Sequence, residues 1–552
     1  MDTLSTGGTT WEIGRAPPSR LFASFRDDHA HLLGMERTLP VTEQEEKAEG
    51  GLTPSADERL VEIYRRARDP DDPKELRNLF LGRIETELRA GPRRAELAGL
   101  WAARPPVREF DEQAVLSSRA TARFIKELFN WFFRDDLYGG LRSPDHLILS
   151  SGSVDETIFG LPPVLKACVG YALQRDWYGY SDSRGRNPAR EAIAAFENER
   201  IEGEPYGFHN VAIAMGGTFA ISALADFLLG ARPVDTPALC ALPNYPPLVE
   251  AVARRAPIRL VPLSCRDGVT SLEPLIQALQ PSTPLVLLQT VTNPTGTAVD
   301  EQELARVLRA AGPATSIVLD ECHECMGPPR LRCRERAGSN VVRVSSMSKT
   351  FSTPGLKVGW ILADRRLIDD FYEYASTTYG GPPSFFYTLV EVAARMERWR
   401  LLGLEAPGSE HLAEFERDYG ITRGDLAAAY RSYHAHRLWR DQTVIDLRDG
   451  AWAFLHDIGL EVVRPQHSMN LAVRLNGWND GYLVFRELLQ GAGVAPFPGV
   501  LTYCLAGGWI RLTTARDPGV LALALRRLAD FAQRRNGEGA WGGIGTSMEG
   551  IS

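Results

Sequence analysis

The sequence predicts an α/β fold in which helices cover both faces of a central sheet. Between residues 146 and 375, short apolar runs of strand length alternate with stretches whose apolar residues recur at helical spacing, such as Phe219–Leu229 and Glu301–Ala311. This alternation is typical of α/β domains. The apolar runs that we predict to be strands are Val211–Met215, Ala238–Leu242, Ile258–Val261, Leu285–Thr290, Ser316–Leu319 and Val341–Val344.

The size and charge of the chain narrow the class of protein. Its 552 residues, 44% of them hydrophobic, allow two to four domains with a large buried core. The formal net charge of −8 gives no basic footprint for nucleic acid. No apolar run approaches the ~20 residues that span a membrane. We therefore expect neither a nucleic-acid nor a membrane partner.

The cysteines and the N-terminus favour a cytoplasmic protein. The seven cysteines are odd in number and scattered, which argues against a disulfide framework. The first residues lack the basic and apolar regions of a secretory signal. The Cys-His-Glu-Cys run at 322–325, with Cys333, has a zinc site as an alternative interpretation. Since no second CxxC accompanies it, we interpret these residues as buried thiols and predict no metal.

The chain divides into six predicted segments. Residues 1–55 are rich in Gly, Pro and Glu, residues 56–145 show helical spacing, and the end is glycine-rich. We expect the helical extension to cover an active site or to extend a dimer interface. The segments are a polar, partly disordered arm (1–55), a helical N-terminal extension (56–145), a large domain (146–375), connecting helices (376–440), a smaller C-terminal α+β domain (441–535) and a flexible tail (536–552).

A Ser-Met-Ser-Lys motif at 346–349 is the most informative stretch. Lysine occurs at only six positions of this arginine-rich chain, and two of them, Lys349 and Lys357, belong to this region. A site that keeps lysine needs an amine that can lose its proton and attack a carbonyl, which a guanidinium cannot do. The motif alone also fits a surface loop.

The motif resembles the lysine segment of the class I/II aminotransferase family, which uses pyridoxal 5'-phosphate (PLP). The resemblance implies that Lys349 forms a Schiff base with PLP and that Ser346 and Lys357 bind the cofactor phosphate. It also implies the type I PLP-dependent transferase fold, with a mostly parallel seven-stranded sheet in the large domain. It further implies a homodimer with the active site at the subunit interface.

Further motifs follow in the order that the family has them. The glycine turn after the first predicted strand implies a phosphate site at Gly217 and Thr218. Tyr245 would stack on the PLP ring. Asn293, in an Asn-Pro-Thr-Gly run, would bond the 3'-oxygen of PLP and approach the substrate. Asp320, at a strand end, would pair with the pyridine nitrogen and keep the ring an electron sink. Each of these alone is an ordinary turn or strand end.

Three further residues complete the resemblance. Arg511 would bind the substrate carboxylate through two parallel hydrogen bonds. Gly152 would line the substrate site. Tyr180 would reach across the dimer to the phosphate of the neighbouring subunit.

Two residues depart from the family pattern. His323 occupies the position at which the family has a tyrosine that bonds the 3'-oxygen, and Lys357 replaces an arginine. We expect His323 to bind PLP as a hydrogen-bond donor. Because imidazole titrates near neutrality, it would also change the acid–base behaviour of the site.

The resemblance favours transamination between an α-amino acid and a 2-oxo acid, with Lys349 as the base at the α-carbon. The departures leave an alternative open: γ-elimination, C–C bond formation or cyclisation on S-adenosylmethionine, as in enzymes like 1-aminocyclopropane-1-carboxylate synthase, or amino-acid decarboxylation or oxidation. A regulator or binding protein is a third possibility, against which the intact Lys349, Asp320, Asn293 and Arg511 argue. Residues 382–386 offer no basic side chain that could bind a second carboxylate. We therefore do not favour a dicarboxylic substrate.

Overall fold

A seven-stranded sheet forms the centre of the computed structural model, which describes residues 51–230, 235–266, 268–379, 381–415, 419–421 and 424–541. Nearly all of the predicted polar arm therefore lies outside the described residues. The order of the strands across the sheet is Val211–Ala214, Gly359–Leu362, Val341–Ser346, Ser316–Asp320, Leu285–Gln289, Ala238–Leu242 and Ile258–Pro262.

The predicted α/β fold with a mostly parallel seven-stranded sheet is confirmed. Only Gly359–Leu362 runs antiparallel to its two neighbours. The six predicted strands all form, with ends that differ by no more than two residues from the predicted ones. The seventh was missed because its short apolar run directly follows the glycine turn of the lysine motif.

The strand sequences explain both the burial of the sheet and the position of the active site. Leu285–Gln289 and Ala238–Leu242 are buried at every residue, as expected for parallel strands covered by helices on both faces. The carboxyl ends of such strands meet at one edge of the sheet, which is where ligands bind in open α/β sheets. Gln289, Asp320 and Ser346 are the last residues of three adjacent strands at this edge.

Helices and short strands surround the sheet. Asp300 caps one helix by accepting hydrogen bonds from the Gln302 and Glu303 N–H groups. The helices of this region are Glu156–Phe159, Pro163–Gln174, Asn187–Asn198, Gly217–Leu229, Pro246–Ala253, Glu273–Ala278, Glu301–Ala310, Met347–Thr350 and Arg365–Thr378; the short strands are Leu147–Ile148, Cys265–Arg266 and Val269–Thr270; and 3₁₀ turns lie at Phe208–Asn210, Arg334–Ala337 and Pro354–Leu356.

The N-terminal helices pack against both the large domain and the C-terminal part of the chain. Arg83 pairs with Asp480 at 2.6 Å, and Glu85 pairs with Arg486 at 2.8 Å. At the other side, the Arg119 guanidinium donates to the Ala253 carbonyl at 2.6 Å. The elements of this region are Glu58–Arg66, Pro73–Glu87, Ala95–Ala102, Glu112–Ser117, Arg119–Trp131 and a π-helix, Phe132–Gly140.

The C-terminal part forms an antiparallel sheet packed on helices. Its strands lie in the order Glu461–Val462, Asn470–Arg474, Trp509–Thr513 and Phe497–Pro498, and Val494–Ala495 pairs with Leu147–Ile148. The helices of the region are Phe386–Leu401, Ser409–Leu412, Leu426–Asp457, Gly481–Ala492 and Pro518–Trp541, with a 3₁₀ turn at Gly499–Thr502.

Two predicted segment boundaries fall inside helices. The boundary between residues 440 and 441 falls inside Leu426–Asp457, a single helix of 32 residues, because buried side chains such as Val444 and Leu447 continue its packing. The tail predicted from residue 536 begins as a continuation of Pro518–Trp541, since each residue added to a packed helix gains a main-chain hydrogen bond. Residues 542–552 lie outside the described residues. The rest of the domain division stays a prediction.

Candidate active site

A cavity of about 210 Å³ lies at the carboxyl edge of the large sheet. The sequence predicts twelve site residues, and eleven of them line this one cavity: Gly152, Gly217, Thr218, Tyr245, Asn293, Asp320, His323, Ser346, Lys349, Lys357 and Arg511. The twelfth, Tyr180, is fully exposed and does not line the cavity. The fold therefore gathers residues that are more than 350 positions apart into one site.

Lys349 lies in the four-residue helix that follows strand Val341–Ser346. Its Nζ donates a hydrogen bond to the Gly152 carbonyl. Burial and the positive charge of Arg511 lower the pKa of Lys349 to about 8. A large share of the amine is therefore neutral near pH 8, which is the form that attacks a carbonyl or accepts a proton.

Asp320 is a buried carboxylate that has no cationic partner among the described residues. The Gln289 side-chain amide donates to Oδ2 at 2.8 Å, and the Cys322 N–H donates to Oδ1 at 3.1 Å. Burial is the main cause that raises the pKa of Asp320. A buried carboxylate of this kind is completed by a cationic group of a ligand. Gln289 was missed, although its signal is plain: it is the one polar residue at the end of an apolar strand.

His323 is held by a residue from the C-terminal part of the chain. Its Nδ1 lies 2.8 Å from the Ser468 hydroxyl. Burial, with the positive charges of Lys349 and Arg511, lowers the pKa of His323 to about 3. The expectation that this imidazole titrates near neutrality is therefore wrong: it stays neutral at physiological pH. Ser468 was missed because 145 residues separate the pair.

Arg511 is a buried guanidinium that contacts only neutral groups. It donates to the Asn293 side-chain oxygen at 3.2 Å and to the Ser150 carbonyl at 2.9 Å, and it lies 4.1 Å from the centre of the Phe497 ring. Its Nε has no hydrogen-bond partner in the described part of the chain. Burial lowers the pKa of Arg511 to about 10. A planar cation in this state is suited to bind a carboxylate.

The other end of the cavity is suited to a phosphate. The helix Gly217–Leu229 begins there, with Gly216 at φ +81°. A Cβ atom added to Gly217 would lie 2.5 Å from the Cys322 sulfur, so the start of this helix packs tightly against its neighbour. The free N–H groups of a helix N-terminus, together with hydroxyls and an ammonium, bind phosphate. Here the hydroxyls belong to Thr218 and Ser346, and the ammonium to Lys357.

The N-terminal extension supports one wall of the cavity. The Phe129 ring meets Tyr245 edge to face, with ring centres 5.6 Å apart, and also contacts Phe497 at 6.1 Å. Tyr245 lines the cavity itself. Since Phe497 lies against the Arg511 guanidinium, the extension packs behind two of the groups around the cavity.

The Cys-His-Glu-Cys run at 322–325 forms part of the cavity wall and, among the described residues, not a metal site. Cys322 lines the cavity, and burial raises the pKa of Cys325 to about 11. Over the described ranges, no group of three or more His, Cys, Asp or Glu side chains is placed to hold a metal ion. Among the helices of the same ranges, none combines the length and the apolar character required to cross a bilayer.

Comparison with known proteins gives the family. Residues 145–398 match the model of the family described as aminotransferase class I and II. This region of the chain belongs to the class I and II aminotransferase family. Valine–pyruvate aminotransferase of Mycobacterium tuberculosis is 26% identical over 403 residues, which cover 71% of this chain and 92% of that protein. Histidinol-phosphate aminotransferase of Thermococcus gammatolerans is 30% identical over 34% of this chain and 51% of its own length.

Solved structures agree on the fold. Aspartate aminotransferase of Thermus thermophilus, as an engineered mutant, has a TM-score of 0.58 at 20% identity, covering 70% of this chain and 96% of its own. N-succinyldiaminopimelate aminotransferase of Mycobacterium tuberculosis has a TM-score of 0.56 at 22% identity, covering 70% of this chain and 93% of its own. The protein is thus a PLP-dependent transferase of fold type I.

The residues of the cavity fit PLP. The glycine turn and helix start provide a cradle for its phosphate, and Asp320 lacks the cation that a protonated pyridine nitrogen supplies. Lys349 lines the same cavity with an amine that loses its proton readily. Arg511 remains free of any carboxylate among the described residues, which leaves a place for the substrate.

Proposed function

We propose that the protein transfers the amino group of an α-amino acid with an uncharged side chain to a 2-oxo acid. The observation that carries this proposal is the arrangement of Arg511, Lys349 and Asp320 around one cavity. It combines a buried cation without an anion, an amine of lowered pKa and a buried carboxylate without a cation. These three suit a substrate carboxylate, a substrate α-carbon and a cofactor nitrogen, respectively.

The cofactor site consists of groups that hold PLP without reacting. Gly217, Thr218, Ser346 and Lys357 would bind the phosphate, and Tyr245 would pack against the ring. Asp320, which accepts a hydrogen bond from Gln289, would pair with the ring nitrogen. When bound, PLP supplies an aldehyde and a ring that withdraws electrons from the α-carbon of the substrate.

We assign two neutral hydrogen-bond donors, Asn293 and His323, to the 3'-oxygen of PLP. Asn293 accepts from Arg511 through its side-chain oxygen, which leaves its amide hydrogens for a ligand oxygen. His323 stays neutral and bonds Ser468 through Nδ1. Because it does not become charged in the physiological range, His323 serves as a substitute for the family's tyrosine rather than as a second acid–base group.

Lys349 moves the protons of the reaction. Once the substrate amine has displaced it from the cofactor, the neutral Lys349 amine would accept the proton from the α-carbon of the substrate. With a pKa of about 8, the Lys349 amine would serve as a base when neutral and as a proton donor when protonated. Gly152 holds this amine through its carbonyl and closes the substrate side.

The cations of the cavity limit the substrate class. The described residues that line it include three cations: Lys349 for catalysis, Lys357 for the phosphate and Arg511 for one carboxylate. None is left for a second carboxylate. The name of valine–pyruvate aminotransferase agrees with a substrate that has an uncharged side chain, whereas another relative is named aspartate aminotransferase.

The exposed position of Tyr180 supports a homodimer, and the cysteines support a reducing cytoplasm. Tyr180 has no cover in the described part of this chain, and a second copy that brings it to the neighbouring phosphate would explain its exposure. All seven cysteines are thiols rather than disulfides, as the cytoplasm favours. Light scattering tests the dimer, and a Tyr180→Phe protein with weaker retention of PLP would support the contact.

An amino-acid panel tests the reaction. The holoenzyme is incubated with each amino acid and 2-oxoglutarate, and separately with S-adenosylmethionine. Steady formation of glutamate with valine, leucine or an aromatic amino acid, and little with aspartate, is the expected result. Release of methylthioadenosine without any keto acid would instead support the elimination and cyclisation alternative. An Arg511→Lys enzyme serves as the matched control for carboxylate binding.

A further inference from the structure

Two buried arginines of the helix Leu426–Asp457 bind the main chain of the turn that carries Lys349. Arg440 donates from Nη2 to the Lys349 carbonyl at 2.7 Å and from Nη1 to the Thr350 carbonyl at 2.6 Å. Arg437 donates from Nη1 to the same Thr350 carbonyl at 2.6 Å. The side chains are 1% and 3% exposed, respectively, so water does not replace these bonds.

The turn at Lys349 needs such donors. The helix Met347–Thr350 has four residues, and the last carbonyls of any helix lack partners within the helix. The Ser352 N–H reaches the Lys349 carbonyl only at 3.4 Å. Since a buried carbonyl without a donor is costly, the two guanidiniums complete the hydrogen bonding of the turn. They thereby fix the main chain from which the Lys349 side chain projects.

Each arginine is itself anchored. Arg437 pairs with Glu397 at 2.7 Å and with Asp441 at 3.2 Å. Arg440 pairs with Asp441 at 2.8 Å and donates to the Ser352 hydroxyl at 2.9 Å. Arg400 also pairs with Glu397 at 2.8 Å, so three cations share these two anions. The directed hydrogen bonds of the two arginines fix the turn.

The same helix face supports a second wall of the cavity. Arg448 donates to the Met326 carbonyl at 2.7 Å and to the Ser468 carbonyl at 3.0 Å, and Ser468 bonds His323. At ~100° per residue, positions 437, 440 and 448 fall within about 80° of one another on the helix. One face of this helix therefore carries three guanidiniums that bond main-chain carbonyls around the site.

We propose that Arg437 and Arg440 are positioning residues that hold Lys349 in register with the cofactor and the substrate α-carbon. The inference rests on the proposed function, because the role of Lys349 is part of that proposal. Lys349 has to reach two atoms in turn, and a displacement of roughly 1 Å in such a group costs about 100-fold in rate.

Steady-state kinetics and the visible absorption of the holoenzyme test the pair. In Arg440→Met we expect kcat to fall about 10- to 100-fold, with the amino-acid KM within about threefold of wild type. The pH midpoint of the visible band of lysine-bound PLP should also shift. Arg440→Lys should give a smaller change in the same direction, since one ammonium cannot hold two carbonyls at once in a planar fork.

Arg190 offers the matched control. It is 1% exposed and donates to two main-chain carbonyls, those of Phe208 and Val211, at 3.3 and 3.4 Å. Arg190→Met therefore reports the loss of a buried arginine away from the lysine turn, and it should keep the band midpoint and kcat of wild type.

The outcomes separate the two proposals. A wild-type protein without a visible band or turnover contradicts the proposed function. If the wild type is active and folded Arg440→Met has the same band midpoint and kcat, the positioning role is overturned and the proposed function stands. If Arg440→Met does not fold, Arg440→Lys decides, and wild-type kcat and band midpoint in that variant overturn the inference.

Discussion

Two groups of buried charges meet at the end of strand Ser316–Asp320, and they differ in whether each charge has a partner. The first group is the cavity, where Arg511 and Asp320 contact only neutral protein groups. The second, here called the ion-pair cluster, consists of Glu197, Glu321, Glu324, Arg332, Arg336 and Arg343.

Every charge of the ion-pair cluster is neutralised. Arg336 lies 2.5 Å from Glu321 and 2.8 Å from Glu324, and Arg343 lies 2.7 Å from Glu197. These side chains are buried as deeply as Arg511. Burial alone therefore does not mark function here. The unpaired charge marks the ligand site, and the paired charges hold the strand ends and loops behind it.

The two groups share one short stretch of chain. Asp320 faces the cavity and Glu321 faces the cluster, because successive residues of an extended chain point to opposite sides. His323 returns to the cavity, and Glu324 to the cluster. Variants on either side of this stretch can therefore separate loss of chemistry from loss of stability.

Removal of the cavity amine should have the largest effect on activity. We expect Lys349→Ala to lower kcat/KM by at least about 10⁴-fold, because both the covalent bond to PLP and the proton acceptor are lost. Its urea unfolding should stay close to wild type, since no ion pair is broken. A Lys349→Ala protein that keeps turning over amino acids would disprove the assignment.

Removal of one cluster cation should have the opposite signature. Arg336→Met leaves Glu321 and Glu324 undercompensated in a buried site, so the free energy of unfolding should fall by about 3–5 kcal/mol. The fraction that stays folded should keep a kcat/KM near that of wild type. Urea unfolding and kinetics on the same sample measure both quantities, and an unchanged unfolding curve would contradict the structural role.

Loss of the unpaired guanidinium should affect binding more than stability. Arg511→Met should lower kcat/KM about 100-fold, because two charge-assisted hydrogen bonds of ~1.5 kcal/mol each to the substrate carboxylate are lost. Stability should stay level or rise, since a buried uncompensated cation is removed. Equal loss of activity with amines that lack a carboxylate would count against carboxylate binding.

Acid should unfold the protein through the ion-pair cluster. The cluster arginines lower the pKa of Glu197 to about 2 and hold that of Glu321 below its usual range. The folded-state pKa values lie below the unfolded ones, so this stabilisation is complete above about pH 4.5 and is lost as the pH falls toward 2. Urea unfolding from pH 6 to pH 3 should show it, with a shallower decline in Arg336→Met. Equal declines in the two proteins would contradict it.

Replacement of His323 by the family's tyrosine should have the smallest effect. Both side chains present a neutral donor in this pH range, so His323→Tyr should change kcat by no more than about threefold. The pH midpoint of the visible band measures the local change. A new acidic limb near pH 6.5 that depends on His323 would show that the imidazole titrates after all.

Much of the site could be predicted because its residues follow strand ends. Asp320 is the last residue of its strand, and Asn293 and Lys349 lie four and three residues beyond the ends of theirs; parallel strands bring these ends together. Their place in the site could therefore be predicted from the neighbouring sequence. The fold was predictable for the same reason, since strands buried on both faces appear as continuous apolar runs.

The rest depended on contacts between distant segments. Arg440 reaches the Lys349 carbonyl across 91 positions, and Ser468 reaches His323 across 145. Neither contact corresponds to a sequence motif, because a main-chain carbonyl or a hydroxyl can accept a hydrogen bond from many kinds of side chain. The pKa of His323 was mispredicted since burial by three-dimensional packing has no local signature.

Borohydride reduction of the PLP-loaded protein tests the central claim most directly. The reagent makes permanent the carbon–nitrogen bond between the cofactor aldehyde and a protein amine, and mass spectrometry of the digested protein then locates it. We expect the phosphopyridoxyl group on Lys349, with none on Lys357, which lines the same cavity. Modification of Lys357 instead, or no modified peptide from a protein with a visible band, would contradict the account.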